Sequence, residues 1–407
     1  MAGWQSKPLG ELLLRTETTN PTLRPDEEFD YIDVSCVSNV TYEIETTQRL
    51  MGRDAPSRAR RLVRSGDVLF ATIRPTLQRI AVVPPELDRQ VCSTGYFVLR
   101  PCNEIEPRFL FYSLFTEQFM GAMEGLQKGA SYPAVTDAEV RAQLLSYPPL
   151  PEQQRIVAIL DEAFEGIATA KANAEQNLQN ARDLFDGSLA KLFAQPGQGW
   201  ESKSVREWVA EGVLAKPQDG NHGEIHPTKA DFVDVGVPFV MAADLVAGEV
   251  DTVGCRFITE SQAKSLRIGF AKSGDVLLSH KGTIGRVAIL ETSDDYVVLT
   301  PQVTYYRPLK SERVTKEFLY FCLMSPGFQS QMVEIADAGS TRAYIGITKQ
   351  LELSLTLPPI EEQLALASKL GEIQDASVRL AKIYEKKFAA LDELKKSLLH
   401  QAFTGQL

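Results

Sequence analysis

The sequence predicts a mixed α/β (α+β) protein with two globular domains in a pseudo-two-fold arrangement, separated by two long antiparallel helices that form a coiled coil. One observation is a pair of proline-free stretches rich in Ala, Leu, Gln and Glu, at 152–194 and 361–403. The other is a duplication with offsets of 196, 208 and 210 residues: GWQSK (3–7) and GWESK (199–203), SGDVL (65–69 and 273–277), PLPEQ (149–153) and PIEEQ (359–363). So long a period predicts two copies of one domain-plus-helix unit, because solenoids need three or more short repeats.

Changes in composition along the chain divide it into four regions. They are a globular domain at 1–147, a helical region at 148–195, a second globular domain at 196–357 and a second helical region at 358–407. Prolines introduce each helical region, as suits the first turn of a helix. Within the globular domains the alternation of apolar residues predicts a helix over 107–124 and strands at 31–37, 95–101, 238–242, 275–279 and 296–308.

The two helical regions carry apolar residues in steps of four and three, sustained over about four heptads. This pattern predicts a heptad seam through which the helices pair with each other or contact partner subunits. Two amphipathic helices, each packed on its own domain, remain the alternative. The predicted interface residues are Ile156, Leu160, Ile167, Leu184, Leu366, Leu370, Ile373, Leu380, Leu391, Leu394 and Leu398.

The overall composition is typical of a globular protein that does not enter a membrane. Apolar residues make up 44% and charged residues 24% of the chain, and no apolar run approaches the length of a membrane span. The first residues lack the pattern of a secretion signal. The five cysteines are scattered and never spaced as C-x-x-C, which predicts reduced, mostly buried residues. We therefore expect a cytoplasmic protein without a membrane partner.

A search for catalytic motifs finds none. The segment GTIGR (282–286) lacks the Lys-Ser/Thr step of a phosphate-binding loop, and no G-x-G-x-x-G follows a strand. The segment HGEIH (222–226) spaces two histidines by four, but its Glu does not fit the zinc-protease pattern and it falls on a predicted loop. The sequence predicts a recognition protein with no catalytic residue, no metal site and no cofactor of its own.

A stretch rich in arginine indicates binding to nucleic acid. Eight arginines and two acids lie between Arg49 and Arg79, although the whole chain has a net charge of −10. The planar guanidinium matches phosphate oxygens and the edge of guanine, so an arginine-only patch favours DNA. The corresponding stretch of the second copy is also basic. A solvated charged surface is the alternative for either stretch alone.

Two pairs of loops are equivalent in the duplication. IRPTLQR (73–79) corresponds to HKGTIGR (280–286), and KGASYPAV (128–135) corresponds to AGSTRAYI (338–345). Their hydroxyl, aromatic and cationic side chains suit phosphates and base edges. The predicted DNA-binding residues are Arg53, Arg58, Arg60, Arg61, Arg74, Thr76, Gln78, Arg79, Ser131, Tyr132, Asn221, His222, Lys281, Thr283, Arg286, Ser340, Thr341, Arg342 and Tyr344.

These segments occur in the same order in both copies, and a long helix follows each copy. In this arrangement the chain resembles, over essentially its whole length, the specificity (S) subunit of type I restriction–modification enzymes. The resemblance implies two target-recognition domains that read an asymmetric, bipartite target in double-stranded DNA. It also implies that the helices set the distance between the half-sites and dock two methyltransferase (M) subunits, with restriction (R) subunits added. S-adenosylmethionine, ATP and Mg²⁺ are then expected on those partners and not on this chain.

The sequence leaves three alternatives to this function. The first is an S-like subunit of a methylation-only complex without a restriction subunit, and it is the alternative most similar to the function given above. A nuclease or methyltransferase with unrecognised motifs would act without partners. A scaffold would bind proteins through its helices and never contact DNA.

Overall fold

The computed structural model describes residues 3–129, 131–222, 226–337 and 344–407. The fold is mixed α/β, as predicted. The chain forms two compact units: unit 1 comprises Met1–Ala174 and Lys386–Leu407, and unit 2 comprises Glu175–Glu385. Each unit therefore contains one globular domain together with segments of both long helices.

Unit 1 contains two four-stranded sheets and one two-stranded sheet. Their orders are β2-β9-β6-β7, β4-β3-β8-β5 and β1-β10, and β3 runs parallel to β8. The strands are β1 (Gln5–Pro8), β2 (Leu13–Leu14), β3 (Glu28–Ile32), β4 (Gln48–Met51), β5 (Ala59–Leu62), β6 (Val68–Ala71), β7 (Ile80–Val82), β8 (Val91–Ser93), β9 (Tyr96–Pro101) and β10 (Leu144–Tyr147). The helices are α1 (Pro107–Ser113), α2 (Glu117–Leu126), α3 (Asp137–Arg141) and the first part of α4 (Leu150–Ala194).

Unit 2 contains a six-stranded, a five-stranded and a two-stranded sheet. Their orders are β12-β22-β19-β20-β16-β15, β13-β17-β14-β21-β18 and β11-β23. The strands are β11 (Glu201–Ser204), β12 (Gln218–Asp219), β13 (Phe232–Val233), β14 (Val237–Val240), β15 (Leu245–Val246), β16 (Glu249–Val250), β17 (Arg256–Ile258), β18 (Phe270–Ala271), β19 (Val276–Lys281), β20 (Thr283–Ile289), β21 (Val297–Leu299), β22 (Val303–Tyr306) and β23 (Ser354–Leu357). The helices are α5 (Val205–Ala210), α6 (Glu260–Ser265), α7 (Lys316–Met324), α8 (Pro326–Asp337), α9 (Ile347–Gln350) and most of α10 (Ile360–Thr404).

The duplication seen in the sequence recurs in the strand pairing. In each unit the strand that follows the tryptophan of GWQSK or GWESK pairs with the strand that precedes a long helix. These pairs are β1 with β10 and β11 with β23. Each unit also has a matching parallel pair, β3 with β8 and β14 with β21, and unit 2 has a further one, β16 with β20. The two domains are therefore copies of one topology, with additional strands in unit 2.

A buried glutamine joins each long helix to its domain. The side-chain amide of Gln153 donates to the carbonyls of Glu104 and Pro148 at 2.9 and 2.8 Å, and its oxygen accepts from the amide of Glu106 at 2.9 Å. Gln363 makes the same three bonds in unit 2, at 2.8 to 3.1 Å. Both side chains are fully buried. The final residue of PLPEQ and PIEEQ is thus a structural link, which explains its recurrence.

In unit 1 the first part of α4 packs beside the last part of α10. Leu160, Leu399 and Ala402 share one hydrophobic core. Arg155 donates to the carbonyl of Leu407 at 2.6 Å, and Lys171 forms an ion pair with Asp392. Residues that come later along α4 contact residues that come earlier along α10. The two segments are therefore antiparallel.

In unit 2 the remaining segments show the same direction. Phe185 and Leu189, near the end of α4, share a core with Ala367 and Leu370, near the start of α10. The ring of Phe185 also lies 6.3 Å from that of Phe321 in α7. The helix segments within each unit therefore pack on each other and on the domain.

Three predicted seam residues are instead exposed. Leu184, Leu380 and Leu394 are 63%, 38% and 46% exposed. Phe185 is buried in place of Leu184, so the apolar stripe lies one residue further along at this level. A helix with 3.6 residues per turn drifts from a strict 3.5-residue repeat, and Phe185 also packs on the domain. The other seam residues are buried (Ile156, Leu160, Ile167 and Leu370) or half-buried (Leu366, Ile373, Leu391 and Leu398).

Local differences from the predicted elements have simple causes. The strand predicted over 296–308 is interrupted around Pro301, which cannot donate to a strand ladder, and it becomes β21 and β22. The helix predicted over 107–124 divides into α1 and α2, because Thr116 caps a new helix by accepting from the amide of Phe119. The strand predicted over 31–37 ends at Ile32.

All five cysteines are free thiols, and only Cys102 is not buried. Burial raises the pKa of Cys92 and of Cys322 to about 12, so both stay protonated and unreactive at neutral pH. Among the described residues, no helix is both long and apolar enough to cross a bilayer.

Candidate nucleic-acid interface

The repeated SGDVL segment forms the same anchor in both units. The carboxylate of Asp67 accepts two hydrogen bonds of 2.8 Å from Arg100, and that of Asp275 accepts two of 2.7 Å from Arg307. Both carboxylates are 1% exposed. The hydrogen bonds that each arginine donates to its carboxylate raise the pKa of the guanidinium and keep it charged. The anchor fixes the start of β6 and of β19.

Beyond this anchor each strand ends beside a second loop. The carbonyl of Thr72 accepts from the amide of Val135 at 3.0 Å, and the carbonyl of His280 accepts from the amide of Ile345 at 3.0 Å. These matched bonds bring together the two pairs of loops that the duplication identified. The sequence alone predicted their equivalence but not their contact.

In unit 1 the joined loops place an arginine on a tyrosine. The backbone of Arg74 is left-handed (φ 52°) and its amide donates to the carbonyl of Pro133 at 2.7 Å. Its guanidinium lies 5.1 Å from the centre of the Tyr132 ring, which is 71% exposed. Gln78 is also left-handed (φ 53°), and Thr76 between them is exposed. The turn holds these side chains at the surface.

In unit 2 the joined loops place a lysine on a tyrosine. The ammonium of Lys281 lies 5.7 Å from the centre of the Tyr344 ring, which is 43% exposed. Here the strand continues into the β19–β20 hairpin. Gly282 (φ 78°) and Gly285 (φ 90°) adopt backbone conformations that favour glycine. The two units thus present a similar cation–aromatic pair on different backbones.

Two further candidates lie on this hairpin. Thr283 is exposed at its tip. The amide of Arg286 donates to the hydroxyl of Ser279 at 2.9 Å, and its guanidinium donates to the carbonyl of Ala242 at 3.2 Å. Arg286 is exposed and retains further donors for a ligand.

The arginine-rich stretch of unit 1 is largely paired within the protein. Arg53 contacts Asp26 at 2.6 Å, and Arg61 contacts Asp137 at 2.7 Å. These acids lie 27 and 76 residues away, so counting charges within the stretch could not reveal them. Pairing leaves both arginines fewer donors for phosphate.

Three other arginines of this stretch differ in how many of their donors are used by contacts within the protein. Arg79 donates to backbone carbonyls within 34–37, which makes it a support for that segment. Arg60 is half-buried and donates to the carbonyl of Ala59 at 2.8 Å. Arg58 is exposed and forms no ion pair with any described residue. With Arg74, Arg58 is therefore the cation of this stretch best placed for a ligand.

The candidates near 221 separate into a buried and an exposed residue. Asn221 is 3% exposed, donates to the carbonyl of Ile268 at 2.7 Å and accepts from the amide of Arg267 at 3.0 Å. It therefore supports the domain core rather than presenting its amide at the surface. The imidazole of His222 is exposed and lies 2.8 Å from the carboxylate of Asp219, which orients it.

The loop between α2 and α3 contributes Ser131, which is exposed and whose carbonyl accepts from Arg74 at 3.3 Å. Its counterpart in unit 2 includes Ser340, Thr341 and Arg342. Those three candidates lie outside the described residues.

The buried histidine beside this surface has a lowered pKa and contacts the backbone of a loop. His280 is 0% exposed, and burial lowers its pKa to about 4. Its Nδ1 lies 2.9 Å from the carbonyl of Ile345, so the neutral ring supports the loop. No cluster of His, Cys, Asp and Glu within the described ranges has a geometry suited to a metal ion.

The sequence did not identify a cleft in unit 2 beside Lys281. It is lined in part by His226, Lys229, Phe239, Arg256 and Thr300. These residues come from separate segments of the chain, and nothing in their local spacing indicates a shared surface.

Comparison with known proteins places this architecture in a family. A model of the type I restriction modification DNA specificity domain matches residues 1–179 and 227–386. The specificity subunit of the type I restriction enzyme MjaVIII from Methanocaldococcus jannaschii is 26% identical over 329 residues, covering 78% of this chain and 74% of that protein. The EcoKI specificity subunit of Escherichia coli is 22% identical, covering 78% and 69%.

Solved structures agree with this match. A structure described in connection with complex assembly and conformational transition of the type I R-M system has 29% identity and a TM-score of 0.83, covering 100% of this chain and 99% of that chain. The HsdS subunit from Thermoanaerobacter tengcongensis has 29% identity and a TM-score of 0.65, covering 100% and 98%. The chain therefore belongs to the type I restriction–modification specificity subunits, a non-catalytic family that recognises DNA sequence.

Proposed function

We propose that this specificity subunit reads an asymmetric, bipartite target in double-stranded DNA, one half with each unit. The helices α4 and α10 set the distance between the half-sites and dock two methyltransferase subunits together with restriction subunits. Those partners bind S-adenosylmethionine, ATP and Mg²⁺, and this chain binds none of them.

One observation carries the proposal: the units share an anchor but present different reading surfaces. Arg74 lies on Tyr132 at a short left-handed turn, whereas Lys281 lies on Tyr344 at a β-hairpin. A guanidinium can bond two acceptors in one plane, and an ammonium acts as a compact point charge. Such different surfaces favour unlike half-sites.

Apolar side chains exposed along the long helices support docking of protein partners. Protein interfaces often use such residues where they cluster. The exposed large apolar residues of α4 and α10 are Leu150, Leu184, Leu364, Leu380, Ile383 and Leu394.

The proposal is tested by mapping methylated adenines in DNA from cells that contain the chain and its partner subunits. We expect an interrupted motif with two unlike halves. Arg74→Ala should reduce or relax recognition of one half, and Lys281→Ala should do so for the other, each by about tenfold or more. Arg24→Ala is the matched control, because Arg24 is an exposed arginine of unit 1 that pairs with Glu27 and is not among the candidate residues.

Two results would contradict the proposal. One is a continuous or palindromic motif in the wild-type methylation map. The other is loss of the same half-site in both variants, since the two units would then not read separate halves.

A further inference from the structure

Unit 2 contains an open cleft of about 1040 Å³ beside the β19–β20 hairpin. We propose that this cleft binds a single nucleotide, either extruded from bound DNA or free in solution. Its base would lie against an aromatic wall and its phosphate at a cationic rim. The extruded case rests on the proposed function, whereas binding of a free nucleotide is independent of it.

The wall of the cleft is aromatic. The rings of His226 and Phe239 have centroids 5.7 Å apart, and those of Phe232 and Phe239 are 5.9 Å apart. Phe257 also lines the cleft. Aromatic side chains stack on any base, because every base has a π face. This wall therefore suits a nucleobase.

Two polar side chains of the lining have atoms without a partner. Among the described residues, neither the hydroxyl of Thr300 nor Nδ1 of His226 has a hydrogen-bond partner, and both atoms are buried. Thr300 is only 4% exposed. Unpaired buried polar atoms are uncommon because they lose their bonds to water. Both residues line the cleft, so a bound ligand is the missing partner that we propose for them.

The equivalent position of unit 1 is satisfied internally. Thr300 follows β21, which runs parallel to β14, just as Ser93 ends β8, which runs parallel to β3. The hydroxyl of Ser93 accepts from the amide of Gly95 at 3.3 Å. The unpaired hydroxyl therefore belongs to unit 2 and is not a general feature of the repeated fold.

The rim of the cleft carries positive charge. Lys229, Arg256 and Lys281 are exposed there, and none forms an ion pair with a described residue. Among the described residues of the lining, Asp234 is the one carboxylate. A net positive rim above an aromatic wall matches the phosphate and base of a nucleotide.

The dimensions of the cleft favour one nucleotide over a duplex. Sites for small ligands and cofactors occupy about 300–1,000 Å³, and this cleft is just above the upper end of that range. A double helix cannot enter such a concavity, but a nucleotide turned out of the stack can, as in proteins that hold extruded bases between aromatic side chains.

The test uses the full chain and two sets of probes, with binding measured by isothermal titration calorimetry or fluorescence anisotropy. The first set is the four nucleoside monophosphates. The second is a pair of DNA duplexes of identical sequence, one with a single unpaired, bulged nucleotide and one without. Thr300→Val removes the hydroxyl at nearly constant volume, and Lys229→Ala alters only the exposed rim. Ser93→Ala and Lys264→Ala are the matched controls, since one deletes the equivalent hydroxyl of unit 1 and the other removes an exposed lysine outside the lining.

Saturable binding of a monophosphate at one site per chain, weakened about tenfold by Thr300→Val or Lys229→Ala and not by the controls, supports a free nucleotide. Preference for the bulged duplex by about tenfold, lost in the same variants, supports an extruded one. If neither probe distinguishes these variants from the wild type, the cleft does not bind a nucleotide. Sequence-specific binding of the unbulged target would then still stand, so the two failures are distinguishable.

Discussion

Asp67 accepts two hydrogen bonds of 2.8 Å from Arg100 although its carboxylate is only 1% exposed. Asp275 and Arg307 repeat the arrangement in unit 2. The SGDVL segment recurs because its aspartate is half of a buried ion pair that fixes the strand before each candidate DNA-binding loop. The aspartate is the same in both copies because it has this structural role. The residues after the segment do not share that role and differ between the copies.

Asp67→Ala should lower the free energy of unfolding of the chain by about 3 kcal/mol, because the largely buried Arg100 loses both hydrogen bonds to Asp67 and keeps only its pair with the more exposed Glu17. Urea denaturation followed by circular dichroism measures the change. Arg53→Ala, which breaks an exposed pair, should change the free energy by less than about 1 kcal/mol. Equal losses in both variants would show that the buried pair has no special role.

The long helices and the duplication could be predicted because their signals are local and repeated. The heptad pattern and introductory prolines predicted helices at 152–194 and 361–403, and the structure has Leu150–Ala194 and Ile360–Thr404. The arginine-rich stretch was less informative. Asp26 and Asp137, which pair with its arginines, are adjacent only after folding. The cleft of unit 2 escaped detection for the same reason.

Gln153→Leu should destabilise the chain by about 3 kcal/mol, since three backbone groups lose a buried partner at once. The effect should be concentrated at the junction of α4 with its domain. Hydrogen exchange should therefore accelerate at the amide of Glu106, which in the wild type donates to the side chain of Gln153.

Gln154→Leu is the matched control for that junction, because the neighbouring side chain is exposed. It should leave both the stability and the exchange rate of Glu106 near those of the wild type. Similar exchange in the two variants would mean that the glutamine does not hold the helix to the domain.

His280 should make the chain less stable as the pH falls. Burial lowers its folded-state pKa to about 4, below the usual value of 6.5, so the unfolded chain binds a proton that the folded chain does not. This contribution is complete above pH 6.5 and declines as the pH falls toward 4. It should amount to about 2 kcal/mol between pH 7.5 and pH 5.

The measurement for His280 is the urea midpoint at several pH values, compared with His280→Gln, which has no titratable group. The variant should show a shallower decline than the wild type over this window. His400→Gln is the control, since His400 is exposed. A decline of equal slope in His280→Gln and the wild type would contradict the assignment.

Two adjacent residues of α4 test which face of the helix is packed. Phe185 is 8% exposed within the core of unit 2, whereas Leu184 is 63% exposed. Phe185→Ala should cost about 3 kcal/mol through lost burial and a cavity, and Leu184→Ala should cost less than about 1 kcal/mol. Urea denaturation of the two variants measures both values. A larger loss for Leu184→Ala would restore the strict heptad seam, because the apolar stripe would then pass through Leu184 and not through Phe185.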